Sequence, residues 1–107
     1  MSRSSRRLVH CTLPPGRTSL AMRHRTVEEI WYVLEGAGEV WRCAVGAETD
    51  PVAVQPGDAL VIPRGWRFQF RAGPRGPLRF LCYTAPPWPG PEEAVPAEPG
   101  GLGPATV

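Results

Sequence analysis

From Leu8 to Ala85 apolar and polar side chains alternate in short runs, each cut off by Pro or Gly. A period of two is the mark of a half-buried strand. "WRFQFRA" (66–72) alternates without a break: Trp66, Phe68 and Phe70 share one face, and Arg67, Gln69 and Arg71 share the other. "TSLAMRHR" (18–25) puts Leu20, Met22 and His24 inward and Ala21, Arg23 and Arg25 outward. "LVHCTL" (8–13), "EEIWYVLE" (28–35), "EVWRCAV" (39–45) and "LRFLCYTA" (78–85) read as further strands, and "VAVQPGDALVIPRG" (52–65) as two more. "PPGR", "GAETDP" and "GPRGP" are turns, where Pro fixes φ and Gly reaches the left-handed region. "GAG" (36–38) predicts a hairpin turn between its two flanking strands. No helical period and no internal repeat stands out. About seven to nine short strands predict an all-β sandwich or closed barrel, and propensity does not choose between them.

A chain of 107 residues has room for one domain. Its 14 Pro and 12 Gly fit many tight turns and few long elements. Residues 1–7 read as a flexible basic lead, 8–88 as the folded domain and 89–107 as a Pro/Gly-rich tail. Trp88 is expected to pin the start of the tail, and the last dozen residues are expected to be mobile.

A net charge of +2 gives no strong drive toward nucleic acid or an anionic membrane. All basic residues are Arg, so Schiff-base chemistry at lysine is excluded. Cys11, Cys43 and Cys82 form no CxxC and no even-numbered framework, which points to free thiols in a reducing cytoplasm. The N-terminal residues lack the apolar core of a secretory signal, and no apolar run approaches a membrane span.

The glycines and one proline carry a longer pattern. Gly16 is followed by five residues, then Met22-Arg23-His24, four residues, Glu29, six residues and Gly36. Gly57 is followed by five residues, then Pro63, one residue, Gly65, two residues, Phe68, three residues and Ala72. With "YVLEG" and "PGDALVIPRG", this spacing over roughly residues 8–88 resembles that of small bacterial cupins. The resemblance implies a jelly-roll β-barrel with a metal site of three histidines and a glutamate inside it. His24 stands at the second histidine position and Glu29 at the carboxylate position. Met22 replaces the first histidine, Phe68 the third, and Ala72 the closing asparagine. His10, the other histidine, could approach the barrel, but no spacing requires it.

Two surviving polar ligands support several chemistries. If metal is bound, His24 and Glu29 ligate one divalent ion weakly (Fe, Mn, Zn or Ni), with water or substrate completing the shell. Stable sites usually have three protein ligands, so a barrel without cofactor is the equal alternative. Copper with Met22 and a cysteine is the third choice. Without metal, His24 and Glu29 form an acid–base pair in an apolar pocket. An inward carboxylate is costly to bury unless paired, which favours a site role for Glu29, whereas Glu28 is outward and solvated.

Met22, Trp31, Phe68 and Phe70 are the expected contacts of a small apolar or aromatic substrate, unless they fill the barrel solid. Trp41 and Trp66 are expected in the core or cavity wall, and Cys82 as a small buried hydrophobe. Tyr32 and Tyr83 are possible acids without a placed hydroxyl. The reading is therefore an enzyme of isomerase, dehydratase or cyclase type. The alternative is a non-catalytic binding or dimerising module with a vestigial metal site. The outward face of Ile30, Tyr32 and Leu34 suits the homodimer that the resemblance implies.

Overall fold

The computed structural model describes residues 8–86, 89–90 and 92–107. The lead over residues 1–7 and the pinning Trp88 lie outside the described residues. Nine strands form among the described residues: β1 Leu8–Leu13, β2 Met22–His24, β3 Glu28–Glu35, β4 Gly38–Cys43, β5 Val52–Val54, β6 Ala59–Ile62, β7 Arg67–Ala72, β8 Leu78–Ala85 and β9 Ala94–Pro96. They make two antiparallel sheets, in the orders β1-β8-β3-β6 and β5-β4-β7-β2-β9. The alternation of β3 is legible in its burial, with Glu29, Trp31 and Val33 buried and Ile30, Tyr32 and Leu34 exposed. Inward residues of both sheets meet in one core that includes Val33, Val40, Val54, Ile62, Leu78 and Phe80.

The expected hairpin at residues 36–38 does not form. β3 pairs with β6 and β8, whereas β4 pairs with β5 and β7, so this turn carries the chain from one sheet to the other. The β3–β8 register shifts between Val33 and Glu35, which bends the strand toward the crossing. Gly36 then takes φ +83°, and a Cβ there would lie 2.0 Å from the Pro77 carbonyl oxygen. Only glycine meets both conditions.

The alternation expected over 18–25 holds only in part. Leu20 is exposed and Ala21 is buried, opposite to the pattern. Between the bridge at Thr18 and the start of β2 the ladder is broken. Ser19 instead exchanges hydrogen bonds with Phe70: its N–H donates to the Phe70 carbonyl, and its hydroxyl oxygen accepts from the Phe70 N–H. The Ala21 carbonyl turns to accept from the Ala97 N–H. The strand period resumes at Met22, and His24 is buried.

The tail is docked, contrary to the expected mobility of its last dozen residues. β9 adds to β2 at the sheet edge, and Thr18 and Thr106 bond to each other. Leu102 packs with Trp41 and Cys43 in a second cluster on the outer side of the five-stranded sheet. Gln69 points to that side, as its alternation requires, yet is fully buried beneath the tail. Its amide donates to the carbonyls of Gly103 at 2.8 Å and Ser19 at 3.3 Å, and its oxygen accepts from the Gly100 N–H at 3.0 Å. Gly100 has no room for a side chain, because its Cβ would fall 1.9 Å from the Trp41 ring.

Gln69→Ala leaves these buried groups without their partner, at a cost of about 1–3 kcal/mol. The expected result is a lower melting temperature and faster proteolytic clipping of the tail. Unchanged melting and clipping would show that Gln69 does not hold the tail.

Candidate functional site

The strand registers stack the barrel interior in layers. At one end Glu29 lies opposite Thr84 on β8 and Ile62 on β6. One step further in, Trp31 and Val9 both lie opposite Cys82. Next come Phe80 and Cys11, paired across β8 and β1. The far end is closed by aliphatic pairs such as Leu13 with Leu78. The barrel is therefore not filled solid: a cavity of about 530 Å³ occupies the Glu29 end. Its wall on the second sheet is Phe68 and Phe70, with His24 beside them.

His24 and Glu29 meet inside this cavity, as the resemblance implies. His24 Nε2 is 3.5 Å from Glu29 Oε2, and both side chains are nearly inaccessible to solvent. The other carboxylate oxygen accepts the Trp31 indole N–H at 2.8 Å. Strand alternation makes this contact local, since residues i and i+2 project on one face. The Phe68 ring lies 4.9 Å from the His24 ring, centroid to centroid. Burial pulls the His24 pKa below its ordinary value, and the nearby Glu29 and Glu93 oppose that shift only in part.

Several functional neighbours come from signals that the sequence carried and the motifs did not use. Leu78, Phe80, Cys82 and Thr84 occupy alternate positions of β8, so an inward Phe80 brings Cys82 and Thr84 with it. Burial, with Glu29 close by, pushes the Cys11 thiol up to about 11 and the Cys82 thiol further up. These are neutral thiols, not nucleophiles. Glu93 has no such signal. It arrives from the tail and is buried, where its carboxylate accepts the N–H groups of Thr26 and Val27 and the Thr26 hydroxyl. Burial alone would raise its pKa, but these hydrogen bonds and the nearby His24 hold it below the ordinary carboxylate value. Glu93 thereby fixes the turn that leads from His24 to Glu29.

Other expected residues stand elsewhere. Met22 is half-buried against the core and is not among the described residues lining the cavity. Trp66 is half-buried just ahead of β7 and also outside the lining. Trp41 is buried beneath the tail, with its indole N–H on the Thr49 carbonyl. His10, Tyr32 and Tyr83 are exposed. Glu28 is exposed as expected.

The donor set does not fit a stable divalent first-row metal centre. Among the described residues, no group of three or more His, Cys, Asp or Glu side chains is placed to hold an ion. His24 and Glu29 supply two donors, the Trp31 indole occupies one carboxylate oxygen, and Phe68 brings a ring where the resemblance implies an imidazole. Stable sites of this kind usually take three protein ligands.

A family model described as "Cupin domain" matches residues 9–84. The chain is 31% identical over 81 residues to the uncharacterized protein MJ1618 of Methanocaldococcus jannaschii. That match covers 76% of this chain but only 61% of the relative. A crystal structure of a conserved protein with a double-stranded β-helix domain from Klebsiella pneumoniae superposes with a TM-score of 0.70. It is 21% identical, over 86% of this chain and 74% of that one. A structure from Thermotoga maritima described as a predicted oxalate decarboxylase gives a TM-score of 0.63 at 25% identity, over 76% and 66% of the two chains. Glycine spacing, two-sheet barrel and matched model agree, and the chain belongs to the cupin family.

Proposed function

We propose that this cupin barrel is an enzyme acting on a small apolar molecule by metal-free proton transfer through His24 and Glu29. The observation that carries the reading is one imidazole and one carboxylate, 3.5 Å apart, in a cavity whose other walls are mostly aromatic and aliphatic. Burial keeps His24 neutral near pH 7, the form of the imidazole that can take a proton from bound substrate. Glu29 steadies the imidazolium that forms, and the Trp31 indole keeps the carboxylate in place. Returning the proton to another atom of the same molecule gives isomerisation. Delivering it to a departing hydroxyl gives dehydration, with loss of water. The three free thiols fit a reducing, cytoplasmic setting. No helix among the described residues is long and apolar enough to cross a membrane.

5-Nitrobenzisoxazole is a suitable probe, being a flat C–H acid whose deprotonation breaks its N–O bond and releases a coloured phenolate. Turnover should persist in chelator, in protein with no stoichiometric metal by elemental analysis. His24→Ala and Glu29→Gln should each lower it by about 10²-fold, the scale of a lost general base. Turnover that follows metal content, or that survives both substitutions, would sink the reading. A native chain that bound its ligand and gave no turnover would be a binding module without chemistry.

The His24 shift also sets a pH dependence. The folded pKa lies below the unfolded value of 6.5, so in acid the unfolded chain binds the proton first. Stability is fully present above about pH 6.5 and falls as pH drops below it. Glu93 is also depressed, but from 4.5, so its contribution is lost only at lower pH. Thermal melts from pH 7.5 to 5 should therefore fall more steeply for the native chain than for His24→Gln. Parallel curves would mean that His24 is not held neutral by burial.

We further propose that two copies pair through the outer face of the four-stranded sheet. Ile30, Tyr32 and Leu34 on β3 are 43%, 47% and 41% exposed, and Val61, Tyr83 and Leu8 on the neighbouring strands continue the patch. An exposed apolar area of this kind marks a contact surface. Sedimentation should give a dimer for the native chain and a monomer for Tyr32→Arg, with the barrel still folded. A native chain that is monomeric at tens of micromolar, a concentration at which about micromolar affinity would show, rules the pairing out.

A further inference from the structure

The chemistry of the cavity wall defines a narrower ligand class, resting on the reading of this cavity as a small-molecule site. Trp31 and Phe80 stack at 4.4 Å with 26° between their planes, while Phe68 and Phe70 present their rings to Trp31 at 88°. These rings pack on one another, so a guest in the cavity lies against the cluster's exposed ring surface, and aromatic pairs favour such stacked and edge-on contacts. The polar groups are confined to the Glu29 end, so a guest that fills the cavity has one end among rings and the other at the carboxylate.

The charge at that end has one sign. Arg67 and Arg71 alternate with Phe68 and Phe70 along β7 and lie on the opposite face, where Arg67 sits over the Trp41 ring and Arg71 pairs with Glu39. No arginine is among the described residues that line the cavity. An anionic guest would therefore meet a buried carboxylate with no cation to offset it, and like charges repel strongly in an apolar site. Hydrogen-bond donors are treated differently. A carboxylate has about four acceptor positions. The Trp31 N–H holds one oxygen of Glu29, the Cys82 thiol also bonds to the carboxylate, and Oε2 stands 3.5 Å from His24, longer than a good hydrogen bond, so fewer than four acceptor positions are taken. A hydroxyl or N–H of the guest can bond to that second oxygen.

We propose that the cavity takes flat aromatic molecules of two or three fused rings bearing a hydroxyl or N–H group, and rejects anions of the same shape. The ring system would lie against the cavity-facing surface of the Trp31, Phe68, Phe70 and Phe80 cluster, with the donor on Glu29. A volume of about 530 Å³ leaves space for such a guest.

Calorimetric titration of the full chain with 2-naphthol, naphthalene and 2-naphthoate tests this directly. 2-Naphthol should bind, and 2-naphthoate should bind about tenfold more weakly or worse, a modest gap for an unpaired buried charge. Naphthalene, which lacks the donor, should also be weaker than 2-naphthol. Glu29→Gln should narrow the gap between 2-naphthol and 2-naphthoate. Should that variant not fold, 2-naphthylmethylammonium reads the same carboxylate in the native chain and should outbind 2-naphthoate. Equal binding of 2-naphthol and 2-naphthoate, or a cation weaker than the anion, overturns the selectivity while leaving a small-molecule site in place. Naphthalene binding as tightly as 2-naphthol overturns the role of the donor. No binding of any probe by a folded chain overturns both this inference and the site on which it rests.

Discussion

The contents of the cavity depend on the register of β3 between β6 and β8. That strand is paired on both sides, and its inward residues, Glu29, Trp31 and Val33, are a carboxylate, its indole partner and a core aliphatic. A slip of one residue would turn Glu28, Ile30 and Tyr32 inward and expose the others. Nothing polar on β8 favours the slipped arrangement, because Thr84 and Cys82 face Glu29 and Trp31 only in the observed register. Hydrophobic burial fixes the register, and the register places the chemistry.

The second sheet obeys a different constraint. Its inner face contributes Phe68 and Phe70 to the cavity, but its outer face is no ordinary solvated surface. Gln69 and Trp41 are buried there because the tail lies across them. The same tail supplies Glu93, which clamps Thr26 and Val27 between the two site residues. A segment that lies wholly outside the matched family region thus helps to position His24 and Glu29. The buried carboxylates have opposite settings. Glu93 is satisfied by three donors and has a structural task, while Glu29 is held by the Trp31 indole and the Cys82 thiol and turns its other oxygen toward His24 at the cavity wall.

Most of the fold was legible because strand period, turn residues and glycine spacing pointed the same way. The limits of β1, β3 and β8 follow directly from alternation. The site was half legible: His24 and Glu29 meet as the family resemblance implies, and Phe68 and Phe70 line the cavity with Trp31. Met22 packs against the core on the face it shares with His24, and it is not among the described residues that line the cavity. The segment around Leu20 was misread because Ser19 bonds to Phe70 and breaks the period. The turn at Gly36 was misread because local turn chemistry is the same whether the chain pairs back on itself or crosses to another sheet.

The sequence by itself determined the class of fold, the strand faces, the pair of polar side chains inside the barrel and the lack of lysine chemistry. These are local properties, set by a residue's neighbours two or six places away. Tertiary structure alone decided that the cavity is open at the Glu29 end and filled at the other, that Cys11 and Cys82 border the carboxylate, and that the Pro/Gly-rich tail is a packed element. Each of these depends on which strands become neighbours, and non-local pairing leaves no periodic trace in the chain.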